Sequence, residues 1–103
     1  MTKVKVVKRN GEEVDFNRSK IVASIVRANN ELVKSRPKDT LFEETINAIS
    51  IRIYERCRKR SWPTTTAEIQ DMVETELMKA GAFELAKLYI KYGLQKGDEK
   101  HDS

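Results

Sequence analysis

Lys3-Val4-Lys5-Val6-Val7-Lys8-Arg9-Asn10-Gly11-Glu12-Glu13-Val14-Asp15-Phe16-Asn17-Arg18-Ser19-Lys20-Ile21 is the stretch that decides the fold. Two valine-bearing runs flank Asn10-Gly11, the dipeptide that best tolerates positive φ at both centres of a two-residue type I′ turn, so Lys3 to Phe16 is expected to form a hairpin. With Asn10 and Gly11 as the loop, Arg9 faces Glu12, Lys8 faces Glu13, Val7 faces Val14 and Val6 faces Asp15, and two opposite-charge pairs support that register. Val7, Val14 and Phe16 then share one side, and Val4, Val6 and Lys8 the other. A lone hairpin is marginal in water, so one side must rest on other elements. Asn17 supplies the next signal: it is a good N-cap, and Ile21, Val22, Ile25, Val26, Ala28 and Leu32 follow it at helical spacing.

Outward from this stretch the pattern is helical throughout. The first helix is expected from Arg18 to Lys34. Pro37 breaks the connection, Asp39 or Thr40 is the next cap, and Phe42, Ile46, Ile49, Ile53 and Cys57 mark a second helix ending near Arg60, with Ile51 on its flank. Ser61-Trp62-Pro63-Thr64 interrupts the period. Thr65 followed three residues later by Glu68 is a capping box, opening a third helix through Ile69, Met72, Val73 and Leu77. Gly81 sits where a left-handed C′ residue would close it. A fourth helix is expected from Phe83 to about Gln95 through Leu85, Ala86, Tyr89 and Ile90. The fold class is therefore mainly α with a small β part, a hairpin lid over a four-helix bundle, with one domain over 1–96 and a polar, disordered tail over 97–103.

Composition bounds the function. The chain has 103 residues, 39% of them hydrophobic and 35% charged, with four Gly and two Pro, which suits one soluble domain with a modest core. No apolar run is long enough to span a bilayer and the first residues lack the apolar block of a secretory signal, so a cytoplasmic location is expected. One cysteine, Cys57, cannot make an internal disulfide, and with His101 as the lone histidine there is no Cys/His set for zinc and no base to activate a nucleophile. Cys57 on the apolar stripe reads as a small buried hydrophobe. The net charge of +4 favours anionic partners without naming one.

Lys8 and Arg9 beside a tight turn, with Lys20 on the first turn of the next helix, could converge on a polyphosphate, since a helix N-terminus adds unpaired N–H groups and partial positive charge. Solvated cations paired with Asp15 or Glu13 explain the same residues. Arg52, Arg56 and Arg60, at four-residue steps with Arg58 and Lys59 beside them, form a patch that could touch nucleic acid, although cations near a helix C-terminus are ordinary complements to the helix dipole. Tyr89 and Tyr92 fit core and rim packing, Thr66 fits a cap region, and Trp62 before Pro63 fits a loop anchor. A nucleotide-hydrolysing enzyme would want a GxxxxGK[ST] loop or a base beside a phosphate site, and neither is present.

Four blocks together resemble a known family: Val7-Lys8-Arg9-Asn10-Gly11, Phe16-Asn17-Arg18-Ser19-Lys20-Ile21, Thr65-Thr66-Ala67-Glu68-Ile69-Gln70-Asp71 and Ala86-Lys87-Leu88-Tyr89-Ile90-Lys91-Tyr92. In order and spacing, over Val4 to Tyr92, they look like the ATP-cone family, a small regulatory domain at the N-terminus of ribonucleotide reductases and in a zinc-containing repressor of their genes. The Ala28-Asn29-Asn30-Glu31 stretch, the start position and the absence of a zinc ribbon are most similar to the N-terminal cone of an anaerobic, class III reductase. Gly93 departs from the Arg common at that place in the family.

The resemblance implies an allosteric switch without chemistry of its own, its ligand ATP or dATP, with magnesium as a candidate companion, and its partner a ribonucleotide reductase catalytic domain or subunit. ATP would permit activity and dATP would stop it, with a nucleotide-dependent homo-oligomer as one outcome. It also implies that Lys8 and Arg9 meet the phosphates, that Asn17, Lys20 and Ile21 meet phosphate and ribose, and that Phe16 frames the base. Thr66 and Gln70 line the base side, and Lys96 reaches the phosphates from the fourth helix. A small basic helical nucleic-acid or transcription-regulator module built on Arg52 to Arg60 is the alternative.

Overall fold

In a computed structural model the chain is described over residues 4–100, with side chains over 4–91. Two short strands, β1 (Lys5–Val7) and β2 (Glu13–Asp15), lead into α1 (Arg18–Val33). A 3-10 turn at Pro37–Asp39 precedes α2 (Glu43–Arg58), and a two-residue strand β3 (Thr64–Thr65) precedes α3 (Thr66–Lys79) and α4 (Phe83–Lys100). Among the described residues the architecture is mainly helical, with four helices and a three-stranded sheet of order β2-β1-β3.

The hairpin forms, but one residue out of the expected register. Lys5 pairs with Asp15, Val6 with Val14 and Val7 with Glu13. The loop has three residues, not two. Gly11 N–H donates to the Lys8 carbonyl (2.9 Å), Lys8 N–H donates to the Glu12 carbonyl (2.8 Å), and only Gly11 takes positive φ, +88°. That is a turn over Lys8–Gly11 closed by a left-handed glycine, the bulged alternative to type I′. Asn10 contributes its side chain, its Oδ1 accepting from Glu12 N–H at 3.0 Å. Burial explains the choice: this register gathers Val4, Val6, Val14 and Phe16 on one face, where Val6 is buried and the other three pack against the core. The charge pairs change accordingly, to Lys5–Asp15 at 2.7 Å and Lys8–Glu12 at 3.5 Å.

The third strand had no signal in the sequence. Val6 and Val7 pair in parallel with Thr64 and Thr65, and Thr64 is buried. Two residues are too few for periodicity, and the second of them, Thr65, carries the capping box, which forms as expected: Thr65 Oγ1 accepts from Glu68 N–H (3.1 Å) and Glu68 Oε1 accepts from Thr65 N–H (2.9 Å).

Helix α1 packs on α2 and α4, and α3 packs on the same two. Ile25, Ile49, Ile53, Val73, Leu77 and Leu85 are fully buried between them, each contributing about 1.5–3 kcal/mol by leaving water. Cys57 is buried on the α2 stripe. Phe42, expected to begin that stripe, is instead the N-cap and 81% exposed. Neither Asp39 nor Thr40 caps α2. Thr40 Oγ1 donates to the Pro37 carbonyl (2.7 Å), and the Asn29 side-chain amide exchanges two 2.9 Å hydrogen bonds with the Leu41 backbone, which holds the chain extended until Phe42. Helix α4 runs to Lys100 rather than stopping near Gln95.

Gly81 closes α3 with φ +79°. Its N–H donates to the Met78 carbonyl and Ala82 N–H to the Leu77 carbonyl, both at 3.0 Å, the paired bonds of a Schellman motif. A methyl at Gly81 would meet nothing within 4 Å, so Gly81→Ala costs only the left-handed backbone, about 1 kcal/mol, checked by urea unfolding with unchanged m value.

Tyr89 of α4 is buried, and burial, with the Glu74 carboxylate adding to it, pushes its phenol up to about 12. The fold therefore favours the neutral phenol. Its stabilisation is fully present below the unfolded value near 10 and drains as pH rises from 10 towards 12, a loss of about 2–3 kcal/mol. Stability followed across that range should show the fall in the wild type and a shallower one in Tyr89→Phe.

Candidate nucleotide-binding site

The central strand organises the nominated residues. Because β2 runs antiparallel and β3 parallel to β1, α1 begins at the Lys5 end of the sheet and α3 at the Lys8 end. At about 3.3 Å per residue the two ends of Val4 to Lys8 lie on the order of 13 Å apart. A ligand touching both ends must lie along the strand, not at a single helix terminus.

At one end, Lys8 follows Val7 directly, and Thr66 Oγ1 donates to the Val7 carbonyl at 3.3 Å. Lys8 alternates with Val4 and Val6, so its stem faces the helices and its side chain is 32% exposed, against the exposed Arg9 in the turn. Gln70 stands one turn beyond Thr66 on α3, half-buried. At the other end, Asn17 caps α1, its Oδ1 accepting from Ser19 N–H at 3.0 Å, and Lys20 is exposed on the first turn. Ile21 is buried in the core, so its side chain faces the bundle. Phe16 packs edge-on against Tyr54 of α2, with centroids 5.3 Å apart and planes at 69°. Lys96 and Tyr92, like the polar ending after them, have side chains outside the described residues. A surface concavity lined by Glu74, Thr75, Met78 and Lys79 of α3 contains none of the nominated residues. Among the described residues, no group of three or more His, Cys, Asp or Glu side chains is placed to hold a metal ion, and no helix is long and apolar enough to cross a membrane.

The arginine patch is committed to carboxylates. Arg52 Nη2 lies 2.8 Å from Glu76 Oε1 and Arg56 Nη2 lies 3.2 Å from Glu76 Oε2, clamping an α3 carboxylate that is almost wholly buried. Arg58 pairs with Glu55 at 2.6 Å and Arg60 with Glu68 at 3.1 Å. These cations are therefore neither a free nucleic-acid surface nor a purely solvated face. Glu76 had a sequence signal: it stands among Ile69, Met72, Val73 and Leu77, on a stripe that is otherwise apolar. Tyr54, which packs against Phe16, had none.

Residues 4–98 match the ATP cone domain family. The ribonucleoside-diphosphate reductase subunit alpha of Chlamydia muridarum is 34% identical over 93 residues, 84% of this chain and 9% of that protein. That of Chlamydia pneumoniae is 35% identical over 94 residues, 86% of this chain and 9% of the relative. The chain belongs to the ATP-cone family of nucleotide-binding regulatory domains. It spans 9% of the length of these curated relatives and is not itself catalytic. The relatives are diphosphate reductase subunits, so they support a link to ribonucleotide reductase without supporting the narrower likeness to the anaerobic class.

Proposed function

We propose that the chain binds ATP or dATP along β1, between the hairpin and the first turns of α1 and α3, and that the bound nucleotide sets the activity of a cytoplasmic ribonucleotide reductase to which the domain is joined or docks. The observation that carries this reading is the parallel pairing of β1 with β3, which brings Lys8 beside Thr66. Lys8 and Lys20 meet the phosphates as flexible point charges and Arg9 as a planar, bidentate donor, with Lys96 as a further cation from α4. Asn17 and Ile21 border the ribose through the opening turn of α1, Phe16 with Thr66 and Gln70 frames the base, and magnesium arrives with the triphosphate. We assign the partner as a ribonucleotide reductase without restricting it to the anaerobic class.

ATP and dATP differ by one hydroxyl, so a switch between them requires differential affinity for two arrangements of the domain. In this reading ATP permits activity, and dATP seats differently under the hairpin lid and exposes a surface for self-association. Calorimetry on the isolated chain with ATP, dATP and GTP, joined to a mass measurement in each nucleotide, tests it: adenine nucleotides bind in preference to GTP, and the oligomer population differs between ATP and dATP. Equal binding of GTP would remove the base assignment, and identical populations would remove the self-association step. A nucleic-acid module would instead bind duplex with a steep salt dependence, which the carboxylate-paired arginines disfavour.

A further inference from the structure

Arg60 stands at the junction of α2, β3 and α3. Its Nη1 donates to Thr64 Oγ1 at 3.5 Å and pairs with Glu68 Oε2 at 3.1 Å. The other Glu68 oxygen, Oε1, accepts from both the backbone N–H and the hydroxyl of Thr65, at 2.9 and 3.3 Å. One carboxylate thus ties the guanidinium to both ends of the capping box. Thr64 and Thr65 are the whole of β3, and they pair with Val6 and Val7 immediately before Lys8. The next residue is Thr66, whose hydroxyl reaches the Val7 carbonyl.

Arg60 is itself held from outside. Its guanidinium carbon lies 5.3 Å from the centre of the Trp62 ring, a cation–π stack, and its side chain is only 21% exposed. Thr65 N–H and then Arg60 keep the Glu68 carboxyl below the usual carboxylate range, in keeping with an anion held by fixed donors. A two-residue strand cannot fix its own position, and the Arg60 contacts supply what its length does not.

We infer that Arg60 is a positioning residue for the nucleotide site: through Glu68 and Thr64 it sets β3 and the first turn of α3, and thereby the placement of Thr66 against β1 and Lys8. Arg60 touches no ligand in this scheme. The inference rests on the ATP-binding reading above and adds to it the residue that pre-organises one wall of the site, so that ordering is completed before the nucleotide arrives.

The test is a double-mutant cycle read in ATP affinity by calorimetry, with nucleotide-free thermal unfolding alongside. Arg60→Met should weaken ATP binding on the order of tenfold in the wild-type background, and much less once Thr66→Ala has removed the far end of the chain of contacts. Glu68→Gln, which retains a capping-box side chain but loses the charge facing Arg60, should reproduce most of the loss with a small change in melting temperature. If Arg60→Met does not fold, the same cycle with Glu68→Gln and Thr66→Ala decides the matter. Wild-type affinity in Arg60→Met, or losses that simply add with Thr66→Ala, overturns the inference while leaving the ATP-binding reading intact. Failure of the unmutated chain to bind ATP overturns both.

Discussion

Replacing Lys8 with alanine is expected to weaken ATP binding by ~10- to 100-fold, the range for losing one charge-assisted contact to a phosphate. Stability should barely change. The ion pair Lys8 makes to Glu12, at 3.5 Å, is largely exposed on the acidic side, and exposed pairs contribute little. The combination matters more than either half. Lys8 stands on the face of the hairpin that otherwise carries Val4 and Val6, so its stem is aimed towards the helices, and a purely structural lysine there would show its removal in unfolding. Calorimetry and urea unfolding on one preparation separate the two. Arg9→Ala, in the exposed turn, should follow the same pattern with a smaller loss, because its side chain has more freedom to give up on binding.

Removing both arginines that clamp Glu76 should be the most damaging change to the fold. Glu76 is 4% exposed at the side chain, while Arg52 and Arg56 are 54% and 45% exposed. Arg52→Met with Arg56→Met leaves a buried carboxylate uncompensated, which costs about 3–5 kcal/mol, a large share of the ~5–15 kcal/mol that holds a domain of this kind together. Adding Glu76→Met to that pair should return most of the loss, because a buried ion cluster and an apolar replacement of similar size are often nearly equivalent. Denaturant midpoints for the double and triple variants check both statements. A triple variant less stable than the double would mean that Glu76 interacts chiefly with groups other than these arginines.

The helices were legible from apolar spacing and capping chemistry. Asn17, Thr65, Glu68 and Gly81 all act in the roles their residue types suggest. Features that depend on contacts remote in sequence were not. Asn10-Gly11 suits both a two-residue loop and a three-residue loop ending in a left-handed glycine, and local chemistry does not separate them. What separates them is the apolar face each register makes, and gathering Val4, Val6, Val14 and Phe16 decides it. Strand β3 exists only because β1 passes beside Thr64 and Thr65. The late start of α2 follows from the Asn29 amide, which engages Leu41 across the turn and shows no sign of that partner in the sequence.

The candidate site was legible to a similar extent. Lys8 and Thr66, far apart in the chain, do lie together, and their neighbourhood depends on the strand that spacing could not reveal. Lys8, Arg9 and Lys20 were expected together at one helix end; the sheet topology sets Lys8 and Arg9 at one end of β1 and Lys20 beyond the other, so a phosphate chain meeting all three would lie along the strand. The arginines of α2 were visible as a patch, but the clamp of Arg52 and Arg56 on Glu76 was not, since Glu76 is a distant residue on another helix. Reading polar residues on an otherwise apolar stripe as half of a buried pair would have flagged it.

The most direct measurement is a heteronuclear NMR titration of the chain with ATP. The account requires amide shifts concentrated at Lys8 to Gly11, at Asn17 to Ile21 and at Thr66 to Gln70, saturating together as one binding event. Shifts confined to the α2 arginines, or none at millimolar ATP, would contradict it.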